Sequence, residues 1–145
     1  MNTLSFKTRI CPRTQNSFYD FSIDGESLFD ICDMEKSDRI GSLGWGLSND
    51  YNKSLFRQFL NEEENKELKS GRIMLFVCSE CGDIGCGGTT FKLIETETEI
   101  IWTEFGDEDN IELDIDFSDY KNIGPFRFEK TEYKRLFIEY MNLTK

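Results

Sequence analysis

The chain contains no histidine. Histidine is the usual general base near neutral pH and the commonest metal ligand, so its absence weakens most hydrolase, nuclease and metalloenzyme readings. Positive charge is also scarce. Seventeen Lys and Arg stand against twenty-eight Asp and Glu, a formal net charge of −11 over 145 residues. Such a surface repels DNA, RNA and anionic membranes and attracts cationic partners. No apolar run approaches the roughly 20 residues that cross a bilayer. The N-terminus lacks the basic, apolar and small-residue succession of a signal peptide, so a cytoplasmic location is expected. Five cysteines, an odd number in a chain without a leader pattern, suit thiols or ligands better than a disulfide framework.

What is present is enough for a core. Hydrophobic residues make up 38% of the chain, with 13 Phe, 5 Tyr and 2 Trp, which argues against a disordered acidic segment. A chain of this length fits one domain, residues 1–145, and folding buries roughly two-thirds of its extended surface without metal or disulfide. The patterning predicts an α+β fold: a mainly antiparallel sheet with a central meander, packed with two or three helices.

Leu4, Phe6, Thr8 and Ile10 alternate with polar residues, and residues 12–16 break the run before an extended pattern resumes over 17–23, which reads as a hairpin. Asp24-Gly25 is a turn, followed by a short helix carrying Leu28, Phe29 and Cys32. Residues 41–46 are too glycine-rich for a regular element. From about Asp50, the positions Tyr51, Leu55, Phe56, Phe59 and Leu60 have helical spacing, with Ser48, Asn49 or Asp50 as caps. Residues 61–69 continue it or form a loop. The unbroken apolar run 73–78 suits a strand covered on both faces. Strands over 88–94 and 99–105, joined by 95–98, complete the meander, and a last strand is expected over 111–117. A C-terminal helix opens near Thr131, with Tyr133, Leu136, Phe137, Tyr140 and Met141 on one face.

Three thiols, Cys78, Cys81 and Cys86, fall within nine residues among Gly82, Gly85, Gly87 and Gly88. The C-x-x-C-G turn has the form of a zinc knuckle, in which glycine lets backbone amides point at sulfur. A closed tetrahedral site needs a fourth ligand, and only Cys11 or Cys32 could supply another thiol from far away. Thiol–disulfide exchange asks for a helix N-terminus under the first cysteine, which the glycines disfavour. The favoured reading is small buried side chains in a tight loop between two strands, with no metal and no cofactor.

That run, together with residues downstream of it, resembles a poorly characterised family of small bacterial proteins. The shared positions are Cys78, Cys81, Gly82, Asp83, Gly85, Cys86 and Gly87, then Trp102, Phe105 and Gly106, then Gly124, Pro125, Phe126, Phe128 and Tyr133. Ser79 stands where that family often has proline. The resemblance spans under half the chain, and it implies a shared fold without supplying an activity.

Ile111, Leu113, Ile115 and Phe117 alternate with Glu112, Asp114, Asp116 and Ser118, the clearest period-two signal in the sequence. A strand here would face four apolar residues inward and hold three carboxylates outward in a ridge, flanked by Asp107, Glu108, Asp109 and Asp119. Glu95, Glu97, Glu99 and Glu104 add to the charge of this half. A solvated, edge-protecting face is the plain alternative. An EF-hand is disfavoured, because the segment from Asp107 lacks the glycine and the spacing of such a loop.

Small size, acidity, a single α+β body and the missing histidine together resemble the immunity proteins of bacterial contact-dependent growth inhibition and related toxin systems. The resemblance implies a non-enzymatic protein that binds a cognate toxin domain, commonly a basic nuclease, and occludes its active site. Asp107, Glu108, Asp109, Glu112, Asp114 and Asp116 would take the places of nucleic-acid phosphates, with buried aromatic anchors supplying affinity. Trp45 is a candidate anchor that suits the core better. The competing expectation is a thiol- or zinc-dependent module on Cys78, Cys81 and Cys86.

Overall fold

The hairpin forms as the alternation predicts. In the computed structural model, which describes residues 1–45, 48–111 and 114–143, β1 (Leu4–Ile10) and β2 (Ser17–Ile23) pair antiparallel from Leu4 opposite Ile23 to Ile10 opposite Ser17. Asp24 and Gly25 then take φ of 53° and 88° and turn the chain into β3 (Glu26–Ser27). Positive φ at both central residues matches the twist of the flanking strands, which is why Asp-Gly serves here. Asp24 also accepts hydrogen bonds from Asn2 Nδ2 (2.6 Å) and the Thr3 amide (2.7 Å), tying down the N-terminus.

A single turn of helix, α1 (Leu28–Ile31), is capped by the Ser27 hydroxyl on the Asp30 amide. Of the glycine-rich stretch, residues 42–45 are loop, Gly41 closes a short strand, β4 (Arg39–Gly41), and Gly46 lies outside the described residues. Gly41 is required there, because a Cβ would run into the Tyr19 carbonyl where β2 passes closest. Helix α2 (Asn49–Phe59) starts at Ser48, whose side chain accepts from the Tyr51 amide, and it buries Leu55, Phe56 and Phe59. Residues 61–69 form a loop that still buries Asn65 and Leu68.

The meander is a five-stranded sheet in sequential order: β4, β5 (Ile73–Cys78), β6 (Gly88–Glu95), β7 (Glu99–Glu108) and β8 (Phe126–Glu129). Every neighbouring pair is antiparallel. β5 is buried from Ile73 to Val77, as its unbroken apolar run requires. Helix α3 (Lys130–Leu143) follows β8 directly and buries Tyr133 and Phe137.

The core lies where the inner face of the first hairpin, α2, α3 and one face of the meander meet. Trp102 on β7 is fully buried against Phe21, Phe59, Phe91, Phe128 and Tyr133. Trp45 is buried too, so it belongs to the core and is no surface anchor.

One predicted element is missing. Residues 111–117 form no strand across the described positions, and Glu112 and Leu113 lie outside them. A single antiparallel bridge joins Asp107 to Asp116, with mutual backbone hydrogen bonds of 2.8 and 3.0 Å. The physical reason lies in the polar residues that supply the alternation: Asp is a poor strand former whose side chain competes for nearby amides. Asp109 accepts from the Ile111 amide (2.8 Å), and Asp116 accepts from both the amide and the hydroxyl of Ser118. The chain is thereby broken into local turns. Ile111, expected inward, is 76% exposed, Phe117 is 42% exposed and Ile115 is half-buried.

Candidate functional site

β6 and β7 bring the two distinctive sequence segments to one end of the sheet. Gly88, just after the last clustered cysteine, sits opposite Glu108, and Thr89 sits opposite Asp107. Asp83 and Asn110 approach Gly85 from two sides: a Cβ there would lie 3.4 Å from Asp83 Oδ1 and 3.6 Å from Asn110 Oδ1. The cysteine loop and the acidic segment are therefore neighbours, which no local sequence signal stated.

The acidic residues do not behave alike. Glu108 is buried, accepting from Thr90 Oγ1 (2.7 Å) and Ser70 Oγ (2.6 Å) and facing Arg72 at 3.4 Å. Asp107 is half-buried, held by Arg39 Nη1 (2.5 Å) and the Tyr120 hydroxyl (2.8 Å). Burial and the adjacent Asp107 carboxylate push the Tyr120 phenol far above its ordinary value, so it stays protonated. Asp107 and Glu108 are thus ion-pair partners within the fold, because both end β7 beside arginines, half-buried Arg39 and buried Arg72. They do not stand in an exposed ridge. Asp109 is half-buried, whereas Asp114, Asp116 and Asp119 are exposed. The hydrogen bonds from Ser118 hold Asp116 below the usual carboxylate range. Glu112 lies outside the described residues.

At the opposite, hairpin end of β6 and β7, Glu95 pairs with Lys130 (2.8 Å) and Lys134 (3.1 Å), and Glu99 with Arg127 (3.4 Å). Glu104 pairs with Lys92 at 3.8 Å on the exposed surface. The carboxylates of residues 95–104 are therefore separate from those of 109–119.

The cysteine loop corrects the expectation of a packed turn. Cys81 and Cys86 are exposed and Cys78 is half-buried, while Cys11 and Cys32 are the buried pair. The sulfurs of Cys78, Cys81 and Cys86 all lie within 4.8 Å of one another. Cys81 and Cys86 are 3.5 Å apart, as free thiols. Neither Cys11 nor Cys32 joins them, and among the described residues no carboxylate does.

Local chemistry builds this convergence. Gly82 takes φ of 68°, and its amide returns to the Cys78 carbonyl at 3.0 Å, closing a tight turn. The Asp83 amide donates to Cys81 Sγ at 3.4 Å. Asp83 then caps a short 3₁₀ turn, Ile84–Cys86, by accepting from the Gly85 amide at 2.9 Å, and fully buried Ile84 anchors that turn. On the other flank Arg13 reaches Glu80 (2.8 Å) and the hydroxyl of buried Ser79 (3.2 Å). Backbone amides of Glu80 and Cys81 donate to Cys78 sulfur and hold its thiol below the ordinary range. Cys86 moves the other way, up to about 11, through its hydrogen bond to Cys81 and repulsion from the neighbouring sulfurs. A compact trithiol group results, able to give up one proton readily and reluctant to carry three negative charges without a cation.

Beside Cys81 lies an open cavity of about 380 Å³ that is also lined by Tyr51, Glu67 and Asp83. Burial and the charges of Glu67 and Asp83 raise the Tyr51 phenol. Arg13, Tyr51 and Glu67 are distant in sequence from the cysteines and carry no motif, so only the fold reveals them. Comparison with family models, with curated proteins and with solved structures finds no match to this chain.

Proposed function

We propose that this is a cytoplasmic immunity-type protein, a non-enzymatic binder that neutralises a basic, nuclease-class toxin domain by covering its active site or nucleic-acid groove. The observation that carries the reading is the make-up of residues 109–119. Two of the large exposed hydrophobics, Ile111 and Phe117, stand in the same segment as exposed Asp114, Asp116 and Asp119. Apolar anchors supply affinity at an interface, and surrounding charge selects a cationic partner and accelerates encounter. The net charge of −11 supports the same sign of partner. Two contacts fix the position of Phe117 and support this reading: one ring edge lies against Gly106 and the ring is 5.4 Å from the Arg72 guanidinium. Asp107 and Glu108, drawn inward by arginines, support the loop from beneath.

Co-expression with a toxin domain encoded beside this chain tests the reading. The toxin should be tolerated and should co-purify, and the Ile111→Ala/Phe117→Ala and Asp114→Asn/Asp116→Asn/Asp119→Asn variants should each weaken the complex. Added salt weakens the wild-type complex more than the Asn variant, because screening acts on exposed charge. Failure to restore growth, or binding indifferent to both variants, overturns the reading.

A further inference from the structure

We propose that Cys78, Cys81 and Cys86 form a zinc site of three thiolate ligands with a fourth coordination position open to solvent. The inference is independent of partner binding, since its ligands are thiols and not the carboxylates of residues 109–119.

Geometry carries it. Zinc–thiolate bonds of about 2.3 Å at tetrahedral angles place sulfur atoms roughly 3.8 Å apart. Cys81 and Cys86 are already 3.5 Å apart, and no pair in the set exceeds 4.8 Å. Side-chain rotation of about an ångström closes the remainder. The loop that presents the sulfurs is preformed from several directions: the Gly82 turn, the Asp83 cap, the Ile84 anchor and the Arg13 tie to Glu80 and Ser79. An amide aimed at Cys81 sulfur supplies the outer hydrogen bond that steadies a ligating thiolate.

Chemistry selects the ion. A set made only of sulfur favours thiophilic d¹⁰ ions over magnesium or calcium, whose ligands are oxygen. A closed structural zinc site uses four protein ligands, and here the remaining cysteines are buried outside the cluster. Cys81 and Cys86 face solvent, so the fourth position opens there. Glu67 and Asp83, lining the cavity beside Cys81, make its mouth attractive to a cation. Zinc redistributes no electrons, so the site needs no external oxidant or reductant.

The test uses the whole 145-residue chain, reduced with a phosphine that leaves the thiols free, and titrated with Zn²⁺ and with Co²⁺ as a spectroscopic stand-in. One equivalent of zinc should stay with the protein through gel filtration, and cobalt should give the near-ultraviolet charge-transfer band of thiolate ligation. Cys81→Ser and Cys86→Ser, exposed and near-isosteric, should each abolish the retained equivalent while keeping the wild-type circular dichroism. Cys11→Ser, outside the cluster, should keep the metal. Absence of retained zinc, retention that survives Cys81→Ser, or uptake of Cu(I) without zinc would each overturn the proposal. Toxin neutralisation by the metal-free Cys81→Ser variant would leave the proposed function standing, so the two readings fail separately.

Discussion

Arg72 and Glu108 form a buried ion pair across the meander, with Nε 3.4 Å from Oε1 and each side chain only 7% exposed. Thr90 lies between them, its hydroxyl accepting from Arg72 Nε at 2.9 Å and donating to Glu108 at 2.7 Å. The pair sits where the β6–β7 register shifts and Glu104 takes φ of 53°. Arg72 also donates to the carbonyls of Thr90 and Glu104, satisfying backbone acceptors around that irregularity. A charge expected at the surface is therefore part of the interior.

Removing one partner strands the other. Glu108→Ala leaves a buried guanidinium without its counter-ion, which costs about 3–5 kcal/mol. Asp114→Asn, on the exposed loop, should stay within about 0.5 kcal/mol of wild type. Urea unfolding of both variants checks this. Equal midpoints would show that Glu108 is not an internal partner of Arg72.

Tyr133 joins α3 to both α2 and β7. Its hydroxyl donates to the Phe59 carbonyl at 2.8 Å and accepts from Trp102 Nε1 at 3.1 Å, all in the buried core. The Phe59 carbonyl is one of the last in α2, with no amide of its own helix to receive. Tyr133→Phe keeps the ring and strands both partners, so it should cost about 1–3 kcal/mol. A thermal melt indistinguishable from wild type would remove this bond from the stability of the helix junction.

Most of this framework was legible in the sequence because each element carries its own period. The 73–78 run, the β1–β2 alternation and the Tyr133–Phe137 helix face are local patterns that the fold has no reason to override. The 111–117 segment failed for an equally local reason. Its alternation was sound, but the Asp residues that supplied it form turns more readily than strands. Arg39 and Arg72, which draw Asp107 and Glu108 inward, are 68 and 36 positions from their partners, so the division of one acidic run into buried and exposed halves had no sequence signature. The cysteine cluster was half legible: spacing grouped the thiols, but their exposure depends on Ile84, and not sulfur, filling the core.

Glu95 gives the fold a pH dependence of predictable sign. Hydrogen bonds from Lys130 and Asn61, with Lys134 adding charge, lower its carboxyl from the ordinary 4.5 to about 2. A depressed folded-state value means the contribution is present above the unfolded value and lost as pH falls through the folded one. The side chain is partly solvated, so screening reduces the benefit to about 1 kcal/mol. Urea midpoints for wild type and Glu95→Gln should therefore differ at pH 6, converge below pH 4.5 and coincide only below about pH 2. A gap that persists at the acid end would assign the effect to packing of the glutamate stem against α3.

Thiol labelling separates the cysteines into classes set by burial and charge. Cys32 is buried beside Asp20, and burial first, then that carboxylate, push its thiol up to about 12, so it should resist alkylation until the chain unfolds. Cys86 is exposed but raised to about 11 by Cys81 and the nearby sulfurs. Only the thiolate attacks, so Cys86 should label slowly at neutral pH and about tenfold faster per added pH unit until that value is approached. Cys81→Ser removes the largest cause of the shift and should accelerate Cys86 at pH 7. Peptide mapping after timed iodoacetamide exposure reads each site, and a Cys86 rate unchanged by Cys81→Ser would mean that the two sulfurs do not influence each other in solution.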